Sequence, residues 1–258
     1  MKPTISTIIN YCSNDYTFIK ECINHALPFS EQVVVSMSTH FFDGIKENED
    51  ILRKTVVENP NASFIQFSYI ENLKNCAGGW HNMTRAVGWE TLKTKSDYIL
   101  FLDSDEIVDT EKFLLWLQCF DISLFDSYRF LGHWYFRNTC YQATQLEEVS
   151  VMIKNSLCSF KFLECCPGER LGMVNIPNTK VFRSAVDTLN QPMFHHYSWT
   201  KTKEQMIRKV KSWGHNKDRD WVSLIEKEFQ RNFDESCHDF VHNYSYRKVE
   251  PFINVKIA

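Results

Sequence analysis

Apolar residues in the N-terminal part of the chain come in short runs separated by helical repeats. Residues 4–11 read as a buried strand, and Asn14 or Asp15 is placed to cap a helix in which Phe18, Ile19, Cys22, Ile23 and Ala26 recur at helical spacing. Pro28 ends that helix. Residues 32–37, with Val33, Val34 and Val35 consecutive, predict a second strand covered on both faces. A helix over 48–58, a strand over 63–69, a helix over 80–93 and a strand over 98–102 complete a βαβαβαβ series. Such a series predicts an α/β fold with a mostly parallel central sheet, right-handed crossovers and helices on both faces.

The rhythm changes after Glu106. Asp109 or Thr110 is placed to cap a helix carrying Phe113, Leu114 and Leu117, and strand-like runs follow at 128–131, 134–137 and 149–153. The stretch 158–177, rich in Cys, Gly and Pro, predicts loop, and 181–182 and 193–197 predict short strands. Thr202 and Gln205 form a capping box for a helix bearing Met206, Ile207, Val210 and Trp213. Alternation puts Trp134 and Phe136 on one strand face and Tyr135 on the other, and strands this aromatic belong to a core.

Composition narrows the class. The 258 residues are 43% hydrophobic and 24% charged, ordinary for a packed globular chain, while the 14% aromatic share is high. A net charge of -3 excludes broad nucleic-acid binding, which needs a basic excess to release counterions. The nine cysteines are odd in number, contain no C-x-x-C pair and place Cys165 beside Cys166, a pattern of reduced thiols. No apolar leader begins the chain and no run approaches about 18 apolar residues, which predicts a cytoplasmic protein without a transmembrane segment.

The chemistry concentrates at Asp103-Ser104-Asp105-Glu106, directly after the apolar run 98–102. Ligands of open α/β sheets bind at the carboxyl ends of strands. Three carboxylates in four residues repel one another unless a cation or solvent compensates. Hard divalent ions use one or two carboxylates together with substrate phosphates, so a diphosphate bridged by Mn²⁺ or Mg²⁺ fits this turn.

Thr84-Arg85-Ala86-Val87-Gly88 followed by Asp97-Tyr98-Ile99-Leu100-Phe101-Leu102-Asp103-Ser104-Asp105 resembles the central signature of family 2-like glycosyltransferases, in which an "ARNxG" helix precedes a "YIxFLDxDD" strand and turn. The departures are Ala86 for the usual Asn, Glu106 where Asp is common, and Ser36-Met37-Ser38-Thr39-His40 in place of "D-x-x-S-x-D", with Asp43 the candidate substitute. The resemblance implies a GT-A (Rossmann-like) fold, a DxD motif, a nucleotide diphosphate-sugar donor, a glycan or glycoconjugate acceptor, and transfer to a hydroxyl. One domain over 1–258 would then hold a nucleotide-sugar half at 1–110 and an acceptor half with a helical tail at 111–258. By the same resemblance Arg85 would face the nucleotide or its phosphates, Asp103 and Asp105 would serve the metal and the ribose-diphosphate, and Asn10 and Tyr11 would lie under the base.

Phe194-His195-His196-Tyr197-Ser198-Trp199 resembles the late segment from which several GT-A families supply a histidine to the metal. Adjacent strand residues point opposite ways, so only one of His195 and His196 is the ligand, and His196 is the choice. Lys201 is the candidate cation for the diphosphate among the lysines that follow. Trp213 and His215 close the segment without an assigned role.

An inverting transfer, the favoured stereochemistry, requires a carboxylate to take the acceptor hydroxyl proton. Glu147, Glu148, Glu164, Glu169 and Asp187 are candidates, and Glu169 is chosen for its loop position at the same sheet edge. Two rivals are a sugar nucleotidyltransferase and a non-catalytic carbohydrate-binding protein on a transferase fold. Against the first, the loop Cys12-Ser13-Asn14-Asp15 has neither Gly nor Lys to hold a triphosphate.

Overall fold

The computed structural model describes residues 2–73, 77–211 and 218–257. Its strands are β1 (Ile5–Tyr11), β2 (Gln32–Ser38), β3 (Ser63–Phe67), β4 (Tyr98–Asp103), β5 (Glu106–Val108), β6 (Ser127–Phe136), β7 (Asn138–Lys154), β8 (Val181–Ala185), β9 (Phe194–Trp199) and β10 (Tyr246–Lys248). The helices are α1 (Tyr16–Ala26), α2 (Glu49–Glu58), α3 (Ala77–Glu90), α4 (Thr110–Cys119), α5 (Phe160–Glu164), α6 (Arg170–Met173), α7 (Lys203–Lys211), α8 (Trp221–Phe229) and α9 (Phe233–Ser236).

The fold is α/β, with a mostly parallel, curled central sheet flanked by helices, as the sequence predicts. One path of strands runs β3-β2-β1-β4-β7-β6-β9-β5, with β10 beside β7 and β8 beside β6. The first four strands are parallel, whereas β7 enters antiparallel to β4 and starts a mixed half. The period of two along β1 and β4 divides their side chains between two cores. Ile5, Ile9, Leu100 and Leu102 pack with Phe18, Ile19 and Ile23 of α1, while Ile8, Ile99 and Phe101 pack with Ala86 of α3. Helix α3 lies close to the sheet because Gly88 has no Cβ; one there would stand 2.6 Å from Ile8 Cγ2.

The mixed half departs from the sequence expectation in several places. The three runs expected between 128 and 153 are two long strands, β6 and β7, turned at Arg137, which takes the left-handed φ of 60°. The stretch expected as loop contains the short helices α5 and α6. Asp15 precedes α1 but makes no side-chain cap; it is drawn instead to Lys201. The Thr202–Gln205 capping box is present, Gln205 N donating to Thr202 Oγ1 at 3.2 Å and Thr202 N to Gln205 Oε1 at 2.9 Å. Trp213 and His215 lie outside the described residues. Among the described residues, no helix is long and apolar enough to cross a membrane.

The connection that matters is a short one. Ser104 and Asp105 alone separate β4, fourth in the sheet path, from β5, which ends it. The sheet therefore curls until its last strands return to the carboxyl end of β4. Strand β5 pairs antiparallel with β9, setting Glu106 opposite His196.

Candidate active site

The carboxyl ends of β1, β4 and β9 border a cavity of about 330 Å³ lined by residues that include Asn10, Asp103, Asp105, Glu169, His196 and Lys209. Parallel pairing places Asn10 beside Asp103, and Asn10 Nδ2 donates to Asp103 Oδ1 at 3.3 Å and to His81 Nδ1 at 3.1 Å. Each Asp103 oxygen meets a guanidinium: Arg85 Nη2 lies 3.1 Å from Oδ1, and Arg170 Nη2 lies 3.2 Å from Oδ2. Burial works against ionisation of Asp103, but Arg170 and Arg85 outweigh it and hold its carboxyl far below the usual range.

Asp105 faces the other wall. Its Oδ1 is 3.5 Å from His196 Nε2, and its Oδ2 is 3.8 Å from Lys209 Nζ. Burial opposes its charge, and Lys209 and His196 overcome that to hold the carboxyl low. The same contact raises His196 against the opposing effect of burial. Glu106 turns inward, fully buried, where it accepts from Asp103 N at 3.0 Å, Ser150 Oγ at 3.0 Å and Arg170 Nη1. The acidic turn is thus divided: two carboxylates border the cavity, and the third fixes the turn and Arg170 from behind. Much of the compensating charge comes from the protein's own arginines and Lys209.

The expected site residues do not all meet the cavity. Asn10, Tyr11, Asp103, Asp105, Glu169 and His196 line it. Tyr11 is nonetheless buried, with Oη 2.8 Å from Thr55 Oγ1. Arg85, 1% exposed, lies behind Asp103 and Glu169 rather than on the lining. Lys201 also lies behind it, ion-paired to Asp15, and Lys209 is the lysine on the lining. Asp43 belongs to an exposed turn whose groove is shared with Ile45, Ile207 and Arg208. His195 points away, its Nδ1 2.7 Å from Tyr135 Oη and its ring stacked at 4.0 Å on Phe252. Of the five carboxylates weighed as proton acceptors, Glu169 alone borders the cavity. It adopts φ 55°, a conformation that costs a non-glycine residue strain, and its Oε2 is 3.6 Å from Arg85 Nη1.

Sequence reasoning gave no role to Arg170, His81, Glu47 and His242, and among the late basic residues it preferred Lys201 to Lys209. His81 carried a signal, since it stands one helical turn before Arg85 on α3. Trp134, expected as core, packs with Phe136 and Trp199 but also reaches the lining. Glu47 accepts from Ser13 N at 3.1 Å and from Ser13 Oγ, and burial pushes its pKa up to about 7. That value lies above the ordinary 4.5, so folding favours the protonated acid. The contribution is fully present below pH 4.5 and is lost as pH rises through about 7. Urea melts of wild type and Glu47→Gln should therefore diverge with pH, the wild type losing up to ~3 kcal/mol relative to the variant across this window. Parallel curves would mean that Glu47 is ionised at no cost in the folded chain.

A divalent ion suits part of this donor set. Ligands about 2.1 Å from an ion and at right angles stand roughly 3 Å apart, close to the spacing of Asp105 and His196. Asp103 fits less directly, because both its oxygens are taken by guanidinium groups. Among the described residues no three His, Cys, Asp or Glu side chains are grouped as a preformed metal site.

No family model and no curated protein matches the chain. Similar solved structures include S. aureus TarS 1-349 in complex with UDP-GlcNAc, at 13% identity over 91% of this chain and 75% of that one, with TM-score 0.47. The inositol-1-phosphate CTP transferase from T. maritima has 8% identity over 76% of this chain and 89% of its own, with TM-score 0.46. A CMP:2-keto-3-deoxy-manno-octonic acid synthetase complexed with CTP has 9% identity over 71% and 91%, with TM-score 0.44. At these identities and TM-scores the likeness assigns no substrate to this chain.

Proposed function

We propose that the chain is a glycosyltransferase that moves a sugar from a nucleoside diphosphate-sugar to a hydroxyl of a glycan or glycoconjugate. The observation that carries this reading is the arrangement around Asp103 and Asp105 at the carboxyl ends of parallel strands, where such sheets take their ligands. The base would enter beside Tyr11, Phe41 and Trp80, and the sugar would lie toward Trp134 and His196. Asn10 and Asp103 would meet the ribose, while Arg85 and Arg170 keep Asp103 ionised and fixed in place. Lys209 supplies a cation to the diphosphate. Asp105 and His196 would hold a Mn²⁺ or Mg²⁺ ion, which when bound neutralises charge on the departing diphosphate. Glu169, tied to Arg85, is placed with these donor-side charges.

The test is a panel of UDP-, GDP- and CMP-sugars with Mn²⁺ and p-nitrophenyl glycosides as acceptors, run beside nucleoside triphosphates with sugar 1-phosphates. Release of a nucleoside diphosphate from one or more donors is expected, without pyrophosphate release from the triphosphates. Pyrophosphate release would move the chain to the nucleotidyltransferases. Neither product, with no nucleotide binding, would leave a carbohydrate-binding protein.

A further inference from the structure

A second polar arrangement borders the same cavity beside Trp134 and Trp199. Asp239 is fully buried and organises the turn before β10, accepting from Tyr244 N at 3.1 Å, Tyr246 Oη at 2.7 Å and His242 N. Its Oδ1 also lies 3.4 Å from His242 Nδ1. The His242 ring stands edge-on to Trp199 at 4.4 Å and to Trp134 at 5.5 Å. Trp134 in turn meets His196 at 4.8 Å, so one indole separates the two histidines. His242 lines the cavity, and neither of its buried ring nitrogens has a hydrogen-bond partner among the described residues, Nδ1 standing in ion-pair range of Asp239.

A buried carboxylate facing Nδ1 favours the tautomer protonated there, which leaves Nε2 free to accept a proton. An unsatisfied buried nitrogen is costly unless something it binds compensates. Glu169, also on the lining, has an oxygen turned to Arg85 instead. We propose that His242 takes the proton of the acceptor hydroxyl and that Asp239 positions it, an inference that rests on the transferase reading. In this step the acceptor O–H bond breaks and its proton moves to Nε2. The acceptor oxygen bonds to the anomeric carbon, and the bond from that carbon to the β-phosphate oxygen breaks, its electron pair leaving with the nucleoside diphosphate. Asp239 and Tyr244 face the His242 ring, and Arg219 Nη1 donates to the neighbouring Val241 O at 3.2 Å.

The test compares His242→Ala, His242→Gln, Asp239→Asn and Glu169→Gln with wild type, using the best donor and p-nitrophenyl acceptor from the panel. Thermal melts select variants that fold, and donor affinity is measured by calorimetry. Both His242 variants should lower the transfer kcat at least ~100-fold, within the range for loss of a general base, with donor Kd unchanged within about threefold. Added imidazole should restore His242→Ala at least ~tenfold, a rescue that a structural role would not give. Asp239→Asn should lower kcat with little change in donor KM. Transfer at the wild-type rate by either His242 variant, or loss of transfer by Glu169→Gln without loss in the His242 variants, overturns the proposal alone. Absence of any transfer by wild type overturns the transferase reading, and this proposal with it.

Discussion

Asp105→Asn should lower turnover by ~10³-fold or more while the protein stays folded, because it removes a charge that the surrounding groups face. Asparagine keeps the shape of the side chain. It also keeps the backbone bond in which Tyr197 N donates to Asp105 O at 2.9 Å, so the closure of β9 onto the turn survives. What disappears is the anion that faces His196 and Lys209 and would take the ion. Asp103→Asn is a less clean experiment, since it leaves the guanidinium groups of Arg85 and Arg170 without the carboxylate they share. Nucleotide release with Mn²⁺, read beside a thermal melt, checks the prediction. Turnover within ~tenfold of wild type by folded Asp105→Asn would remove Asp105 from the site.

Sequence periodicity revealed the half of the fold built from local elements. Each of β1 to β4 is an apolar run, and the helix after β1 has its own helical repeat, so those elements were legible without knowing the partners. The rest depends on pairings distant in sequence. Strand β5 is three residues long, and what makes it a strand is β9, far along the chain. Without that pairing, Glu106 looks like a third metal-facing carboxylate; with it, Glu106 is buried opposite His196. Arg170 sits on a four-residue helix, and its partners Asp103 and Glu106 lie far upstream. Strand alternation said only that one of His195 and His196 could face the site, and the structure places His196 on the cavity and His195 against Phe252. Lys201 and Lys209 could not be ranked in this way, since only the contact with Asp15 shows which lysine is taken up behind the site.

Arg170→Met should destabilise the protein by about 3–5 kcal/mol, the range for removing one partner from a buried ion pair. The arginine side chain is 12% exposed and bridges Asp103 to Glu106, which is fully buried. Methionine fills a similar volume but leaves Glu106 with Ser150 Oγ and Asp103 N as its donors, and Asp103 with Arg85 and Asn10. A carboxylate desolvated to that degree and stripped of its guanidinium is much of the expected cost. Arg170→Lys should recover part of the loss, since one ammonium cannot reproduce the fork that spans two carboxylates. Combining Arg170→Met with Glu106→Gln should cost less than the sum of the two changes, because the second removes the charge stranded by the first. Denaturant midpoints at constant slope measure all three. An Arg170→Met midpoint matching wild type to within ~1 kcal/mol would mean that the turn is held by its backbone and Ser150 rather than by this arginine.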